Sequence, residues 1–278
     1  MKGVLNKMMR KFITCLTAIA MFVVMTATVF AAESEIDWEK GVIRATGLAA
    51  GKTKAPSKGI RRAQARRAAI MDAQRGLAET VQGVQVSSES SMLDLMLQYD
   101  IVRTRVDAII KGMSQVSEKY YDDDTCEVVL EMPMFGSSQA LSTASFLPVQ
   151  NDPVIAFPQP TTIVTVNSGY TGLIIDCRGM NLNPVMSPVI KNNNGQSIYG
   201  HENLDYDKIV SRGMAAYASN VNDYVSQSRA GSNPLVVKAV KVEGFNANPV
   251  ISVADADKIL SANQNDRFLD NCAVVFVK

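Results

Sequence analysis

The sequence contains few of the residues on which catalytic sites depend and no large excess of either charge. Among its 278 residues are one histidine, one tryptophan and four cysteines, and aromatic residues make up 6%. The formal net charge at pH 7 is +1, which excludes a global electrostatic attraction to nucleic acid or to an anionic membrane. A content of 47% hydrophobic and 20% charged residues is typical of a globular chain.

The cysteines and the histidine form no catalytic or metal-binding pattern. Cys126, Cys177 and Cys272 lie far apart, and no two of them have the spacing of metal ligands. Each lies in an apolar, strand-like run, which favours a buried free thiol over a disulfide. His201 lies in a polar stretch, and no serine has the surroundings of a nucleophile elbow. The sequence therefore predicts no enzyme activity, no cofactor and no metal site.

The first 32 residues have the pattern of an export signal. Four basic residues precede an apolar run from 12 to 30, and the small residues Ala31 and Ala32 follow it. We predict a signal peptide over 1–32 that is cleaved after Ala31 or Ala32, so that the mature chain is exported. The alternative is an uncleaved anchor, because about 19 apolar residues can span a bilayer. Lipidation at Cys15 is not expected, because no apolar stretch precedes that residue.

The sequence predicts an α+β fold with two small domains, each a largely antiparallel sheet covered by helices. The first domain spans 33–135 and the second spans 163–278. Between them, 136–162 is rich in serine and proline and is predicted to be a semi-extended linker.

A long amphipathic helix from about Lys58 to Gly83 is the main predicted element of the first domain. Before it, a strand from Trp38 to Ala50 carries small residues on the side that would face the helix. A second helix is predicted from Ser91 to Lys111. The strands Met113–Tyr121 and Thr125–Met134 follow around an aspartate turn, which fits a hairpin tip better than a calcium loop. The predicted buried side of the long helix comprises Ile60, Ala63, Ile70, Ala73, Leu77 and Val81.

The second domain is predicted to consist of short strands and helices separated by turns. Thr171–Cys177 is a continuous apolar run typical of an interior strand, and Ser252 is a helix cap. The turn Asn192–Gly195, between short apolar runs, indicates a hairpin. The remaining predicted elements are the strands Ile163–Val166, Pro234–Val242 and Cys272–Val277 and a short helix at Asn222–Arg229.

Two groups of polar residues are candidates for a functional site. Arg61, Arg62, Arg66 and Arg67 form the concentrated basic patch of the predicted mature chain, and we call them the arginine patch. The patch is suited to an anionic partner such as an acidic protein face, a cell-wall polymer or a lipid headgroup; the alternative is a solvated helix face. The second group lies beside predicted strand ends and loops, where sites tend to lie. Its members are Asp176, Arg178, His201 and Arg229.

Three features of the first domain occur in order along the chain. They are a strand with small alternating residues, an alanine-rich helix with Asp-Ala before a leucine, and a glycine before an extended segment. The residues concerned are Gly41, Ile43, Ala45 and Gly47, then Asp72, Ala73 and Leu77, and then Gly83. This pattern, over about residues 36–135, resembles the Lpp-twenty-like lipoprotein family and the N-terminal domain of the flagellar assembly protein T. The resemblance implies a bacterial envelope protein that acts as a binding or assembly module and has no catalytic residues.

These observations predict a non-enzymatic, exported cell-envelope protein that is periplasmic or associated with the outer envelope. Its expected partners are envelope proteins or cell-wall components rather than nucleic acid, and any contact with the membrane would not depend on lipidation at Cys15. The expected role is a protein-binding or assembly module associated with the flagellum or the outer membrane, with oligomerisation left open. The alternative is a ligand-binding or hydrolytic envelope protein with a site in the second domain.

Overall fold

The computed structural model describes residues 33–166 and 168–278. Their fold belongs to the α+β class, as predicted, with seven α-helices and three four-stranded sheets in this part of the chain. The predicted signal peptide at 1–32 lies outside the described residues. Within the described ranges, no helix is both long enough and apolar enough to cross a bilayer.

The first half of the described chain forms an antiparallel sheet with one long helix packed against it. Its elements are β1 (Ser34–Asp37), β2 (Val42–Ala49), α1 (Lys58–Gln82), α2 (Met92–Gln98), α3 (Asp100–Lys111), β3 (Gln115–Tyr120) and β4 (Cys126–Pro133). The strand order is β1-β2-β4-β3, and all neighbouring strands are antiparallel. The predicted strand before the long helix and the predicted hairpin are therefore confirmed.

Helix α1 lies close to strand β2 because the residues between them are small. The helix begins after Ser57, whose hydroxyl accepts a hydrogen bond from the amide of Ile60, and it ends at Gly83. A Cβ atom on Gly47 would lie 2.0 Å from the carbonyl oxygen of Ala69. Helix and strand can therefore approach this closely only with glycine at position 47.

The buried side of α1 matches the predicted side in the second half of the helix, where Ala73, Leu77 and Val81 are buried, and differs from it in the first half. Ile60 is 43% exposed and Ala63 is also exposed, whereas Ala65 and Ala69 are fully buried. The prediction was wrong at these positions because the larger apolar residues set the predicted side, which carries Ile60 and Ala63, whereas the side that contacts β2 carries Ala65 and Ala69. The buried residues of α1 are Ala65, Ala69, Ala73, Gly76, Leu77 and Val81.

The second predicted helix is two helices in the structure. Tyr99 has φ −128° and ψ 107°, an extended conformation that separates α2 from α3. Met96 and Val102 are buried on the two sides of this break. Because the apolar steps continue through the break, the sequence pattern does not reveal it.

The segment predicted to be a linker is folded over its first part. It contains α4 (Ser142–Ser145) and a 3₁₀ turn at Leu147–Val149. Phe146 is 2% exposed, and the hydroxyl of Ser142 donates a hydrogen bond to the carbonyl oxygen of Val210 at 2.9 Å. The structure differs from the predicted semi-extended linker here because its serines make internal hydrogen bonds, which composition alone does not distinguish from solvated serines.

The second half contains two further sheets. Its elements are β5 (Gly172–Asp176), β6 (Ile190–Asn192), β7 (Ser197–Tyr199), α5 (Tyr206–Arg212), β8 (Ala216–Ala218), α6 (Tyr224–Ala230), β9 (Pro234–Lys238), β10 (Lys241–Glu243), β11 (Asn248–Ile251), α7 (Val253–Asp266) and β12 (Val274–Val277). The strand orders are β10-β11-β6-β7 and β8-β12-β5-β9. The interior position of β5, the β6–β7 hairpin and the helix capped by Ser252 are confirmed.

The strands of the β8-β12-β5-β9 sheet are all parallel. This differs from the largely antiparallel sheet predicted for the second half. Successive parallel strands need a long crossover connection, which brings the chain back to the end of the sheet where the previous strand began. Here the helices and the strands of the other sheet provide these connections. Interior strands of a parallel sheet are buried on both faces, and Ile174 and Ile175 of β5 are fully buried.

An extended segment, residues 153–166, crosses helix α7, and we call it the strap. The carboxylate of Asp257 accepts hydrogen bonds from the amides of Thr161 at 2.7 Å and Thr162 at 3.0 Å. The segment Ile163–Val166 was predicted to be a strand, but it lies in the strap without strand pairing. The strap is therefore bound by helix side chains instead of by another strand.

The two halves share one hydrophobic core. Its largest cluster of buried side chains extends from Ile43 in β2 to Phe276 in β12. Trp38 and Tyr217 make an edge-to-face contact between the halves, with ring centroids 5.6 Å apart. The halves are therefore joined through packed side chains as well as through the chain itself.

Candidate functional site

Two residues of the arginine patch bind the aspartate at the tip of the β3–β4 hairpin. Nη2 of Arg61 donates to Oδ2 of Asp124 at 3.0 Å, and Nε of Arg62 donates to Oδ1 at 2.9 Å. The hydrogen bond from Arg62 holds the pKa of the Asp124 carboxyl below its ordinary value, although burial acts in the opposite direction. Asp124 is 6% exposed. Asp124 is thus an acceptor for helix α1, whereas Asp122 and Asp123 at the same tip are exposed.

Arg66 also binds the hairpin, while Arg67 is exposed to solvent. Nε of Arg66 donates to the carboxylate of Glu118 at 2.8 Å. The guanidinium of Arg62 also lies over the ring of Tyr120, at 4.9 Å from its centroid. Three of the four arginines therefore connect α1 to the hairpin, and much of the positive charge of the patch is compensated within the structure.

The three cysteines of the described residues are buried free thiols, as predicted. Burial raises the pKa of Cys177 to about 12 and also raises the pKa of Cys126 and of Cys272. A thiol that stays protonated at neutral pH is a poor nucleophile and a poor metal ligand. In the same part of the chain, no cluster of three or more histidine, cysteine, aspartate or glutamate side chains is arranged to hold a metal ion.

Asp176 and Arg178 pair with each other at the carboxyl end of β5. Nη2 of Arg178 lies 2.7 Å from Oδ2 of Asp176, and Nε lies 2.9 Å from Oδ1. This two-pronged contact holds the pKa of the Asp176 carboxyl below its ordinary value. Lys238 is the neighbour of Asp176 on strand β9. The aspartate charge is therefore compensated at the sheet edge where ligands of parallel sheets usually bind.

Arg229 is held inside the structure at the carboxyl end of α5. Its Nη1 donates to the carbonyl oxygen of Arg212 at 2.5 Å, and its Nη2 donates to that of Gly213. Burial lowers the pKa of the guanidinium. Its Nε is buried and has no acceptor among the described residues. Because basic side chains commonly bind the last carbonyl groups of a helix, Arg229 acts as a cap for α5.

His201 lines a cavity of about 200 Å³ beside the start of the strap and helix α5, which we call the His201 cavity. The carboxylates of Asp152 and Glu202 also line it. The amide of Ile155 donates to the carbonyl oxygen of Glu202 at 2.7 Å, which fixes the strap at this wall. The apolar and aromatic residues that line the cavity are Val149, Pro153, Ile155, Leu204, Tyr206 and Ile209.

The four predicted site residues of the second half do not form one pocket. Gly172 at the start of β5 lies against Ala230, the neighbour of Arg229, whereas Asp176 ends the same strand. At about 3.3 Å per residue, the two ends of β5 are about 13 Å apart. Neither Arg229 nor Asp176 is among the residues that line the His201 cavity. The structure therefore brings Asp176 together with Arg178 and leaves His201 and Arg229 at separate places.

A row of exposed apolar side chains on α2 and α3 was missed by the sequence prediction. Leu93 is 41% exposed, Leu97 is 73% exposed and Ile101 is 61% exposed, and we call them the apolar row. Met96 and Val102 on the other side of the same helices are buried. Part of the signal was in the sequence, because Leu93 and Leu97 stand four apart on α2 and therefore lie on one side of that helix. Ile101 follows the break at Tyr99 on α3, and all three residues lie outside the apolar steps assigned to the core.

The second half is similar to a known protein family. The family model described as the second domain of Treponema pallidum Tp0624 matches residues 172–278. The matched range begins at the first residue of β5 and includes the strands of both sheets of this half. The comparison with curated proteins gave no match.

Proposed function

We propose that the mature chain is an exported, non-enzymatic protein of the cell envelope that acts as a protein-binding or assembly module. The observation that carries this proposal is the apolar row. Its side chains are exposed although α2 and α3 already bury other apolar residues against the core. Burial of apolar surface by a partner contributes about 25 cal/mol per Å² to the free energy of binding. A second apolar side on these helices is therefore suited to contact with a partner protein.

Polar groups beside the apolar row already have partners of their own. Asp100 and Arg103 form an ion pair at 2.5 Å. Asp94 accepts hydrogen bonds from Ser91 in the cap of α2. An apolar centre with a polar rim is the usual arrangement at protein interfaces. We expect the partner to present apolar surface rather than a strongly charged one.

Two features of the sequence support the cell envelope as the location. One is the signal pattern at 1–32, which predicts export. The other is the resemblance of the first half to the Lpp-twenty-like family and to the N-terminal domain of the flagellar assembly protein T. On this basis we propose association with the outer envelope or the flagellum.

Export is tested by the mass of the protein isolated from cells. The expected mature chain begins at Ala32 or Glu33, because cleavage follows Ala31 or Ala32. Recovery of a chain that retains residues 1–32 would contradict the proposed processing.

The role of the apolar row is tested by a variant with Leu93→Gln, Leu97→Gln and Ile101→Gln. The mature variant is immobilised and exposed to envelope proteins. It is expected to bind about tenfold less of them than immobilised wild type, because central apolar contacts dominate the affinity of an interface. Quantitative mass spectrometry of the bound proteins gives the measurement, and circular dichroism checks the fold.

The matched control for this experiment changes exposed apolar residues elsewhere. Met71 in α1 is 64% exposed and Val116 in β3 is 55% exposed. Met71→Gln with Val116→Gln is expected to retain the same partners as wild type. Equal capture by wild type, control and apolar-row variant would remove the support for the proposed function.

A further inference from the structure

The turn between β10 and β11 presents an exposed phenylalanine in an unusual backbone conformation. Gly244, Phe245 and Asn246 have φ values of 55°, 53° and 55°. Phe245 is 55% exposed. Glycine and asparagine adopt this left-handed conformation readily, whereas a bulky side chain is disfavoured there. Neither the turn geometry nor burial accounts for a phenylalanine at this position.

Neighbouring groups hold this turn, residues 244–247, in place, and we call it the Phe245 turn. The amide of Asn183 donates to the carbonyl oxygen of Asn246 at 2.9 Å, and its Nδ2 donates to that of Phe245 at 2.7 Å. The amide of Ala247 donates to the carbonyl oxygen of Gly244 at 2.8 Å. Since the main chain is already ordered, a partner that binds the ring loses little backbone entropy in this turn.

The His201 cavity has the chemistry to receive such a ring. Most of its lining residues are apolar or aromatic. At its wall, Ile155 is 53% exposed, and the neighbouring Val154 is 57% exposed. A ring inserted here would cover apolar surface that now faces solvent.

The charges around the two surfaces are complementary. Next to the Phe245 turn, Glu243 lies 3.3 Å from the ammonium of Lys191 and 3.2 Å from that of Lys241, which leaves this group of three with one net positive charge. The residues that line the cavity include the carboxylates of Asp152 and Glu202 but no lysine or arginine. Opposite charges of this kind favour encounter and fix orientation.

We propose that Phe245 of one copy of this chain inserts into the His201 cavity of a second copy. The inference goes beyond the function proposed above, because it concerns surfaces other than the apolar row and a second copy of this chain instead of another envelope protein. The turn and the cavity are different surfaces, so the contact is heterologous and each bound pair keeps one unused turn and one unused cavity. Association therefore continues beyond a dimer, into a closed ring or an open chain.

Sedimentation velocity of the mature chain over a range of concentrations tests this proposal. The average mass of wild type is expected to rise with concentration and to fall at high salt. Phe245→Asn is expected to remain monomeric with an unchanged or higher thermal midpoint, because asparagine suits the left-handed conformation. The control is Tyr224→Asn, which removes a ring that is 84% exposed on α6 and should leave association unchanged.

A mixing experiment distinguishes a heterologous contact from a symmetric one. Ile155→Trp places a bulky ring at the cavity wall and keeps the main-chain hydrogen bonds of residue 155, so this variant is also expected to be monomeric. A mixture of Phe245→Asn and Ile155→Trp still contains one intact cavity and one intact turn. The mixture is therefore expected to form a one-to-one heterodimer that does not grow further.

Several outcomes would overturn the proposal. They are a wild type that is monomeric at all concentrations, a Phe245→Asn variant that associates as strongly as wild type, and a Phe245→Asn variant with a lower thermal midpoint. The last result would show that the ring stabilises the fold. Binding of phosphatidylethanolamine–phosphatidylglycerol vesicles that depends on Phe245 without self-association would instead assign the turn to a membrane. If wild type is monomeric but the apolar-row variant still loses its envelope partners, this inference fails while the proposed function stands.

Discussion

Gly47 lies where strand β2 comes closest to helix α1. A Cβ atom there would lie 2.0 Å from the carbonyl oxygen of Ala69 and 2.4 Å from the amide nitrogen of Ala73. Both are main-chain atoms, so the strand and the helix would have to move apart. We expect Gly47→Ala to lower the free energy of unfolding by about 1–3 kcal/mol in urea denaturation.

Gly59→Ala is the matched control for Gly47→Ala. Gly59 lies in the first turn of α1, where an added Cβ atom would lie 3.9 Å from the hydroxyl oxygen of Ser57, an ordinary van der Waals distance. Alanine there is expected to raise the free energy of unfolding by about 0.5–1 kcal/mol. A Gly47→Ala protein as stable as wild type would show that α1 and β2 do not approach so closely.

Asp124 makes the link between α1 and the hairpin dependent on pH. Its pKa in the folded state is lowered, chiefly by Arg62. The stabilisation is complete above the ordinary aspartate pKa of about 3.9 and is lost as the pH falls through the lower folded-state value. We expect Asp124→Asn to lower the thermal midpoint at neutral pH, and the difference from wild type to shrink in acid.

The exposed Asp122 in the same turn provides the control for Asp124. Asp122→Asn is expected to have little effect on the thermal midpoint at neutral pH, because its side chain is exposed. Equal losses for Asp122→Asn and Asp124→Asn at neutral pH would contradict the assigned role of Asp124.

At the scale of elements, α1 shows what an apolar pattern can predict. Its extent follows from local signals, because Ser57 caps its start and Gly83 ends it. The end at Gly83 was recognised in the sequence, whereas the cap at Ser57 was not. Its buried side was predicted at Ala73, Leu77 and Val81 but not in the first half of the helix, where the close contact with strand β2 selects Ala65 and Ala69. The break at Tyr99 was missed because apolar steps continue on both sides of it.

Side chains of α7 hold the strap in place, and a substitution of Asp257 tests this role. Asp257 is 5% exposed and accepts the amides of Thr161 and Thr162. Asp257→Ala leaves both amides without this acceptor, so the free energy of unfolding is expected to fall by about 1–3 kcal/mol. Proteolysis at the strap, where Ile163 is 82% exposed, is expected to become faster and is followed by mass spectrometry.

Asn265→Ala serves as the control for the strap, because Asn265 is exposed on the same helix. Cleavage of this variant is expected to match that of wild type. An unchanged cleavage rate in Asp257→Ala would mean that other contacts hold the strap.

At the scale of the whole molecule, the segment between the halves is part of the core. Phe146 is 2% exposed and belongs to a cluster with members from both halves. Phe146→Ala is expected to lower the free energy of unfolding by about 3–5 kcal/mol and to weaken both halves together. Circular dichroism and hydrogen exchange of peptides from each half should follow one transition. Two separate transitions would favour two independently folding domains.

The candidate site was less predictable than the fold. Whether a polar side chain has a hydrogen-bond or ion-pair partner depends on residues that are far away in sequence. Arg62 and its acceptor Asp124 are 62 residues apart, and Arg229 reaches the end of a different helix, α5. Local sequence identified these arginines as candidates but could not show that they were already paired. Phe245 was missed because its exposure and left-handed backbone become visible only in the folded turn.

Trp38, in the turn between β1 and β2, makes its edge-to-face contact with Tyr217 in β8. It is the single tryptophan of the chain. All indole emission from the protein therefore originates at the place where the two halves meet. The molecule carries an intrinsic optical reporter of that junction, and a change in emission on adding a partner or a second copy would locate a rearrangement there without any label.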